Sequence, residues 1–201
     1  KVLPQMTRGT YGVEGLREKV DVGIPVFWIK QENENWVKNN PEITLNIQTE
    51  TYKYPSVNII GKIEGTDPKL KNEYVLLSGH QDHDGIRHPV KNDTIYNGAD
   101  DNASTCVAIL AMARAYKKQP SNRSILFVIH GAEERGLLGS RWHAAHPVVP
   151  KESIVAVLNG DMIGRNDNNE AALLGSEAPH KNYEELVKMA LDANNESTKF
   201  K

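Results

Sequence analysis

Asn97-Gly-Ala-Asp-Asp-Asn-Ala-Ser104 is the stretch that decides the organisation of this chain, because it carries two adjacent carboxylates on a tight loop. Apolar side chains recur at helical spacing from Ala103 to Lys118, which predicts a helix directly after the loop. Before the loop, the apolar run from Tyr74 to Ser78 is too short for a helix and is typical of a strand covered on both faces. A strand, a polar loop and a helix therefore follow one another here.

The same succession recurs further along the chain. Apolar runs at 125–129 and 154–158 predict two more strands, and a helix is predicted from Glu133 to His146 between them. This repetition predicts an α/β domain with a largely parallel sheet and right-handed crossovers. The other elements predicted from local pattern are a helix at 31–40, strands at 43–52 and 55–64, a loop at 81–102 and a helix at 183–193.

Composition indicates a globular protein without the charge pattern of a nucleic-acid-binding domain. The 24 basic residues nearly balance the 26 acidic ones. No apolar run approaches the roughly 20 residues that a membrane-spanning helix needs. Cys106 is the only cysteine, which excludes a disulfide within this segment and any multi-cysteine zinc site. Its position on the apolar face of a predicted helix indicates an inert, buried thiol.

Acidic and imidazole side chains follow every strand of the predicted parallel sheet. They are His80 and Asp82, Asp100 and Asp101, Glu133 and Glu134, and Asp161. The carboxyl ends of parallel strands meet at one edge of a sheet, so we expect these side chains to form one site. Carboxylates gathered in a partly dry cleft repel one another, which implies either a bound cation or raised pKa values.

The donor types indicate which cation would suit this site. One imidazole with several carboxylates suits Zn²⁺, Mn²⁺ or Co²⁺, and two ions that share a bridging carboxylate suit the count better than one. Two such ions about 3.5–4 Å apart activate a water molecule and polarise a carbonyl group. That is the chemistry of amide hydrolysis.

Four short runs occur in a fixed order within about residues 55 to 165. They are His80-Gln-Asp82, Gly98-Ala-Asp-Asp-Asn-Ala-Ser104, Gly131-Ala-Glu-Glu-Arg-Gly-Leu-Leu-Gly-Ser140 and Leu158-Asn-Gly-Asp-Met-Ile-Gly164. Together they resemble the motifs of the M28 co-catalytic zinc peptidases, a group made up mostly of aminopeptidases. The resemblance implies a zinc-exopeptidase-like, three-layer α/β sandwich with a mostly parallel, mixed central sheet that is incomplete at its C-terminus.

Carried over residue by residue, the resemblance implies a set of metal ligands. His80 and Asp161 would bind one zinc ion, and Glu134 would bind the other. Asp101 would be the carboxylate that bridges the two ions. A complete catalytic domain would therefore hold two Zn²⁺, with Mn²⁺ or Co²⁺ as possible substitutes.

The resemblance also implies roles next to the metals. Glu133 would be the general base that takes a proton from the water, and Asp82 would hydrogen-bond His80 and fix its tautomer. The peptide bond between Asp101 and Asn102 is expected to be cis. Asp100, beside the bridging acid, is interpreted as a support for the loop.

Three histidines near the motifs need separate interpretation. His83 and His130 either line the site or serve only in packing or at the surface, and the sequence leaves both alternatives open. His180 precedes a predicted helix in a polar loop, so we interpret it as an ordinary loop residue rather than a ligand.

The resemblance further implies parts that this chain does not supply. The family's remaining zinc ligand, a histidine near the C-terminus, has no counterpart here. Residues 1–50 resemble the end of a protease-associated insert with its connection, and residues 51–201 resemble the N-terminal portion of the catalytic domain. We therefore expect a fragment of a longer enzyme, secreted or periplasmic, with reduced or no activity by itself.

The function expected from these motifs is that of a dinuclear zinc exopeptidase acting on the N-terminal residues of peptides. One alternative is a carboxypeptidase or dipeptidase on the same scaffold, because the groups that bind a free amine or a free carboxylate set the polarity. Others are a glutaminyl-cyclase-like enzyme and a non-catalytic receptor or binding domain. Residue preference and oligomeric state are not determined by the sequence.

Overall fold

The computed structural model describes residues 12–14, 16, 29–40, the even-numbered residues from 42 to 50, 51–165 and 183–197. His180 and most of the predicted protease-associated insert lie outside the described residues, so the division at residue 50 stays a prediction. Within the described ranges, no helix has both the length and the apolar character needed to cross a bilayer.

Six strands and four helices make up the described architecture. In chain order they are α1 (Glu34–Asn39), β1 (Ile59–Ile63), β2 (Tyr74–His80), β3 (Gly85–Val90), β4 (Asp93–Tyr96), α2 (Thr105–Lys118), β5 (Ser124–His130), α3 (Leu138–Ala145), β6 (Ile154–Asn159) and α4 (Tyr183–Ser197). The three predicted strands that follow one another through helical crossovers are confirmed as β2, β5 and β6. The predicted strand at 55–64 is confirmed as the shorter β1.

The main sheet has the strand order β1-β5-β2-β6. Strand β2 pairs in parallel with β5 and β6, whereas β1 runs antiparallel to β5. The predicted mixed, mainly parallel α/β sheet is therefore confirmed. Its register sets His80 opposite His130 and Ser78 opposite Asn159, so the polar segments after β2, β5 and β6 begin at the same edge.

The core lies on both faces of β2 and β5. Leu77 packs with Ile109 of α2 on one face, and Leu76 packs with Leu126 and Val128 on the other. Val149, which follows α3, lies against the second of these clusters. Burial on both faces explains the uninterrupted apolar runs in these strands, and each fully buried side chain contributes roughly 1.5–3 kcal/mol.

The helix predicted from Glu133 to His146 begins later than the sequence indicates. It starts at Leu138, and the segment before it is a turn in which Ala132, Gly136 and Leu137 take positive φ angles of 54°, 102° and 59°. Residues in the left-handed region do not continue a right-handed helix. Glu133 and Glu134 therefore stand on a loop and not on a helix.

One other prediction from local pattern is wrong, and a second falls partly on residues that the structure does not describe. Residues 81–102, predicted as loop, contain the antiparallel hairpin of β3 and β4. Its turn is Lys91-Asn92, and both residues take the positive φ of the two-residue turns that suit strand twist. Without glycine in the turn, and with Ile86, Val90 and Ile95 exposed rather than on a buried face, this hairpin lacks the usual signal. Of the predicted strand at 43–52, the described residues carry no strand.

Candidate metal centre

His80, the last residue of β2, stands at the centre of the predicted site. Its side chain is buried, and its Nδ1 hydrogen-bonds the backbone carbonyl of Asp82 at 2.9 Å. Because a carbonyl only accepts, Nδ1 carries the proton and the lone pair lies on Nε2. Nε2 lies 3.2 Å from Asp101 Oδ1, 3.6 Å from Asp161 Oδ1 and 3.8 Å from Glu133 Oε2. It is buried without a hydrogen-bond partner among the described residues.

These separations match those expected between ligands of one zinc ion. Two atoms bound at about 2.0–2.2 Å in tetrahedral geometry lie about 3.3–3.6 Å apart. The distances from His80 Nε2 to Asp101 and Asp161 are close to that range, and the three donor atoms lie within 4.8 Å of one another. An imidazole with two carboxylates therefore fits a divalent transition metal here.

A second group of donors shares one residue with the first. His83, Asp101 and Glu134 also offer ligand atoms within 4.8 Å of one another. His83 Nδ1 lies 3.6 Å from Asp101 Oδ2 and 2.5 Å from Glu134 Oε1. Asp101 thus turns one oxygen toward His80 and the other toward His83. The sequence left open whether His83 lines the site, and the structure places it there. The only feature of the sequence that pointed to this was its position directly after Asp82.

The loop that carries Asp101 is tied to the loop that carries Asp161. Ala99–Ser104 forms one turn in which Asp101 and Asn102 have non-helical backbone angles, and the peptide bond between them is cis, as expected. Asn102 is almost fully buried, and its Nδ2 donates to the Gly160 carbonyl at 3.0 Å. This hydrogen bond holds the segments after β2 and β6 together.

Asp100 belongs to neither donor group, but it makes hydrogen bonds that support the loop carrying Asp101. Its Oδ1 accepts the backbone N–H of Gly164 at 2.8 Å, and its carbonyl accepts the Ser104 hydroxyl at 2.6 Å. The Ser104 Oγ in turn accepts the N–H of Ile163 at 3.2 Å. Asp100 therefore has the loop-supporting contacts that the sequence interpretation assigned to it.

The predicted hydrogen bond between Asp82 and His80 is present, but the backbone carbonyl of Asp82 makes it and the carboxylate does not. The nearer carboxylate oxygen is 3.9 Å from His80 Nδ1, which the Asp82 backbone carbonyl occupies instead. The carboxylate accepts the backbone N–H groups of Glu133 at 2.9 Å and Glu134 at 3.2 Å. The turn before α3 presents two successive N–H groups outside any helix, and a carboxylate is the acceptor that satisfies both.

Glu133 lies between the donor groups and a mainly apolar space. It shares the wall of a cavity of about 470 Å³ with Asp161, Leu76, Leu137 and Val157, among others. Burial raises the pKa of the Glu133 carboxyl, the negative charges of Glu134, Asp161 and Asp82 add to the rise, and a positive charge on His80 opposes it.

His130 belongs to neither donor group, but it lines the same cavity as Glu133. It is buried with His143, and their ring centroids are 5.7 Å apart. Burial, together with the charges of the neighbouring His143 and His80, lowers the pKa of His130 to about 4. The sequence had left open whether His130 lines the site or serves only in packing or at the surface.

Cys106 takes no part in the donor groups. The thiol is half-buried in α2 and donates to the His80 carbonyl at 3.1 Å. Burial raises the pKa of this thiol, so the reactive thiolate is disfavoured. The predicted inert cysteine is in keeping with these contacts.

The family model for peptidase family M28 matches residues 58–200 of the chain, which includes both donor groups. The chain belongs to peptidase family M28. The resemblance inferred from the four motifs is thereby confirmed. The M28 motifs are the segments that meet at the carboxyl edge of β2, β5 and β6.

Individual relatives are similar over part of their length. Aminopeptidase YwaD of Bacillus subtilis (strain 168) is 36% identical over 125 residues, which are 62% of this chain and 25% of YwaD. A probable leucine aminopeptidase of Arthroderma otae is 28% identical over 178 residues, 84% of this chain and 46% of that protein. The M28 chain thus spans less than half the length of these two relatives.

A similar solved structure is BSAP, a zinc aminopeptidase from Bacillus subtilis. The two share 26% sequence identity, with a TM-score of 0.49. The similarity covers 68% of this M28 chain and 32% of that chain.

Proposed function

We propose that this M28 chain supplies most of the dinuclear zinc centre of an exopeptidase that hydrolyses peptides from their N-terminus. The observation that carries the proposal is that Asp101 belongs to both donor groups, one with His80 and Asp161 and one that contains Glu134. His80 and Asp161 would bind one ion, Glu134 the other, and Asp101 both. The donor chemistry suits zinc, with Mn²⁺ or Co²⁺ as substitutes.

Divalent ions of this kind, when bound, activate a water molecule and polarise the scissile carbonyl group. The chain's own part is to move the proton. Glu133 would accept it from the attacking water and deliver it to the leaving amine. Asp82 keeps Glu133 and Glu134 in place through their backbone N–H groups.

Aminopeptidase polarity is favoured over carboxypeptidase polarity by the names of the relatives. Both Aminopeptidase YwaD and the probable leucine aminopeptidase are named for action at the N-terminus. Peptides blocked at the N-terminus and at the C-terminus distinguish the two polarities. The proposal requires that N-blocking abolishes cleavage and that C-blocking does not.

Replacement of Glu133 tests the proposed chemistry in the full-length protein. Glu133→Gln keeps the size of the side chain and removes the proton acceptor. We expect kcat to fall roughly 10²–10⁴-fold on an aminoacyl-arylamide, the usual contribution of a general base, while zinc content stays at the wild-type value. Mass spectrometric metal analysis of the same preparations supplies the second readout.

Glu152→Gln is the matched control, because Glu152 is an exposed glutamate in the turn before β6. It should leave both kcat and zinc content unchanged. Normal turnover in Glu133→Gln would contradict the assignment of Glu133 as the base. Normal zinc content after Asp101→Asn would contradict the proposed set of ligands.

We also propose a secreted or periplasmic location, which is supported by family resemblance alone. Fractionation of cells that express the natural gene into medium, periplasm and cytoplasm tests this. Activity confined to the cytoplasmic fraction would contradict it.

A further inference from the structure

The contact between His83 and Glu134 is shorter than the contacts of His80 with Asp101 and Asp161. His83 Nδ1 is 2.5 Å from Glu134 Oε1, whereas His80 Nε2 is 3.2 Å and 3.6 Å from Asp101 and Asp161. Two ligands of one tetrahedral zinc ion lie about 3.3–3.6 Å apart, so 2.5 Å is too short for a shared ion. It is the distance of a hydrogen bond to a charged acceptor.

The direction of this hydrogen bond follows from the acceptor. An ionised carboxylate only accepts, so Nδ1 of His83 must carry the proton. A nitrogen that donates a proton has no lone pair for a metal. The bond engages Oε1 of Glu134 and leaves Oε2 for other partners.

His83 itself is held in position by the hairpin that the sequence did not predict. A Cβ at Gly98, after β4, would lie 2.6 Å from the Cβ of His83, so the absence of a side chain there makes room for the imidazole. The His83 ring also lies 6.3 Å from the ring of Tyr96, the last residue of β4. The imidazole therefore lies against the end of the hairpin.

Glu134 is in consequence held at two points by two consecutive residues. Asp82 accepts its backbone N–H at 3.2 Å, and His83 donates to its carboxylate. We infer that His83 is a positioning residue that orients the Glu134 carboxylate toward the second metal position, and that it is not itself a ligand. This inference rests on the proposed function, in which Glu134 binds the second ion.

The test measures metal affinity in the full-length protein, by competition for Zn²⁺ with a chelator of known affinity. His83→Leu removes the donor, and His83→Asn restores an N–H near the position of Nδ1. We expect His83→Leu to weaken one of the two zinc equivalents 10–100-fold, as loss of a group that holds a ligand does. His83→Asn should stay within about threefold of wild type by the same reasoning. The absorption spectrum of the Co²⁺-substituted His83→Asn protein should match that of wild type, because the ligands are unchanged.

His88→Leu is the control, since His88 is an exposed histidine on β3 whose ring also lies beside Tyr96. It should leave both zinc affinities unchanged. Unchanged affinities in His83→Leu would overturn the inference. An altered Co²⁺ spectrum in His83→Asn, together with a loss of affinity as large as in His83→Leu, would show that His83 is a ligand and would overturn it as well.

Glu134→Ala, measured in parallel, separates this inference from the proposed function. If Glu134→Ala leaves both zinc equivalents in place, the proposed ligand set fails. If it removes one equivalent and His83→Leu weakens neither, only the role of His83 fails. Should His83→Leu not fold, as judged by circular dichroism in EDTA, His83→Gln takes its place, because its longer amide shifts the donor away from the position of Nδ1.

Discussion

The carboxylate of Asp82 accepts the backbone N–H of Glu133 at 2.9 Å, across 51 residues of sequence. Its second oxygen accepts the next N–H in the chain, that of Glu134, at 3.2 Å. The loop after β2 therefore sets the main-chain position of the proposed base and of one proposed ligand. A single carboxylate couples two of the four motifs.

Replacement of Asp82 should destabilise the turn before α3. A hydrogen bond to a charged group contributes about 1.5–3 kcal/mol, and less where water reaches it. Because the Asp82 side chain is 25% exposed, loss of both acceptors in Asp82→Ala should lower the free energy of unfolding by about 2–4 kcal/mol rather than by the full sum of two bonds. Asp82→Asn keeps one oxygen acceptor and should lose roughly half as much. Urea denaturation in EDTA measures the change without a contribution from metal. Equal stability of Asp82→Ala and wild type would show that these hydrogen bonds are replaced by water at no cost.

Zinc should stabilise the folded protein, and the effect should depend on Asp101. A ligand that binds only the folded state at 100 times its dissociation constant adds about 2.7 kcal/mol. Asp101→Asn removes the carboxylate shared by both donor groups and should abolish most of this gain, as measured by thermal unfolding with and without Zn²⁺. Asp192→Asn, which changes an exposed acid of α4, is the control and should retain the full gain. An equal gain in the Asp101 variant would contradict the shared position of that carboxylate.

The start of α2 is packed against two glycines. A Cβ on Gly79 or Gly160 would lie 2.6 Å or 2.7 Å from Cγ2 of Thr105, the first residue of α2. Gly79→Ala should therefore cost about 1–3 kcal/mol of stability through overpacking. Thr105→Ser removes that methyl group, so the double variant should recover part of the loss.

A double-mutant cycle on Gly79→Ala and Thr105→Ser measures this coupling directly. Gly61→Ala on β1 is the matched control, because a Cβ there meets no atom within 4 Å. Additive effects of the two substitutions would show that Thr105 does not limit the space at Gly79.

The contribution of His130 and His143 to the stability of the metal-free protein should fall on mild acidification, whereas the raised pKa of Glu133 acts in the opposite direction. The pKa of His130 is lowered from 6.5 to about 4, and burial also lowers the pKa of His143. Between these values the unfolded chain binds protons that the folded chain does not, so the stabilisation is complete above about pH 6.5 and is lost as the pH falls toward 4. Urea denaturation in EDTA at pH 7.5, 6 and 5 should show this slope.

His130→Gln should reduce the slope, since residue 130 then no longer titrates. His88→Gln, at an exposed position on β3, should keep it. The same pH dependence in both variants would assign the slope to other groups, and the neutral, buried state of His130 would be in doubt.

Much of the fold follows from local pattern in the sequence. Strands β2 and β5 are buried on both faces, so their sequences are continuous apolar runs that no surface strand or short helix would show. Helix α2 shows the spacing of a helix with one buried face. By contrast, the hairpin of β3 and β4 is exposed and has no apolar alternation to reveal it, and the start of α3 depends on three backbone angles in the left-handed region.

The site, too, was predictable from the sequence only in part. Position after a strand predicts that the acidic residues and His80 lie at one edge of the sheet, where ligand atoms do meet. The choice of His80, Asp101, Glu134 and Asp161 as ligands came from the resemblance to the M28 motifs. The role of the Asp82 carboxylate was not predictable, because its partners are backbone N–H groups that carry no sequence signal. His83 was equally hidden, since only the packing of the hairpin against it directs the imidazole at Glu134.

By itself, the sequence determined the order of the main strands and helices, the family and the types of donor available. These depend on side-chain pattern and residue identity, which are local properties. Only the tertiary structure decided which donors meet, because the separations among residues 80, 83, 101, 134 and 161 depend on strand register and on the loops after the strands. The distinction between a ligand and a residue that holds a ligand rests on about 1 Å of separation, and only packing sets distances on that scale.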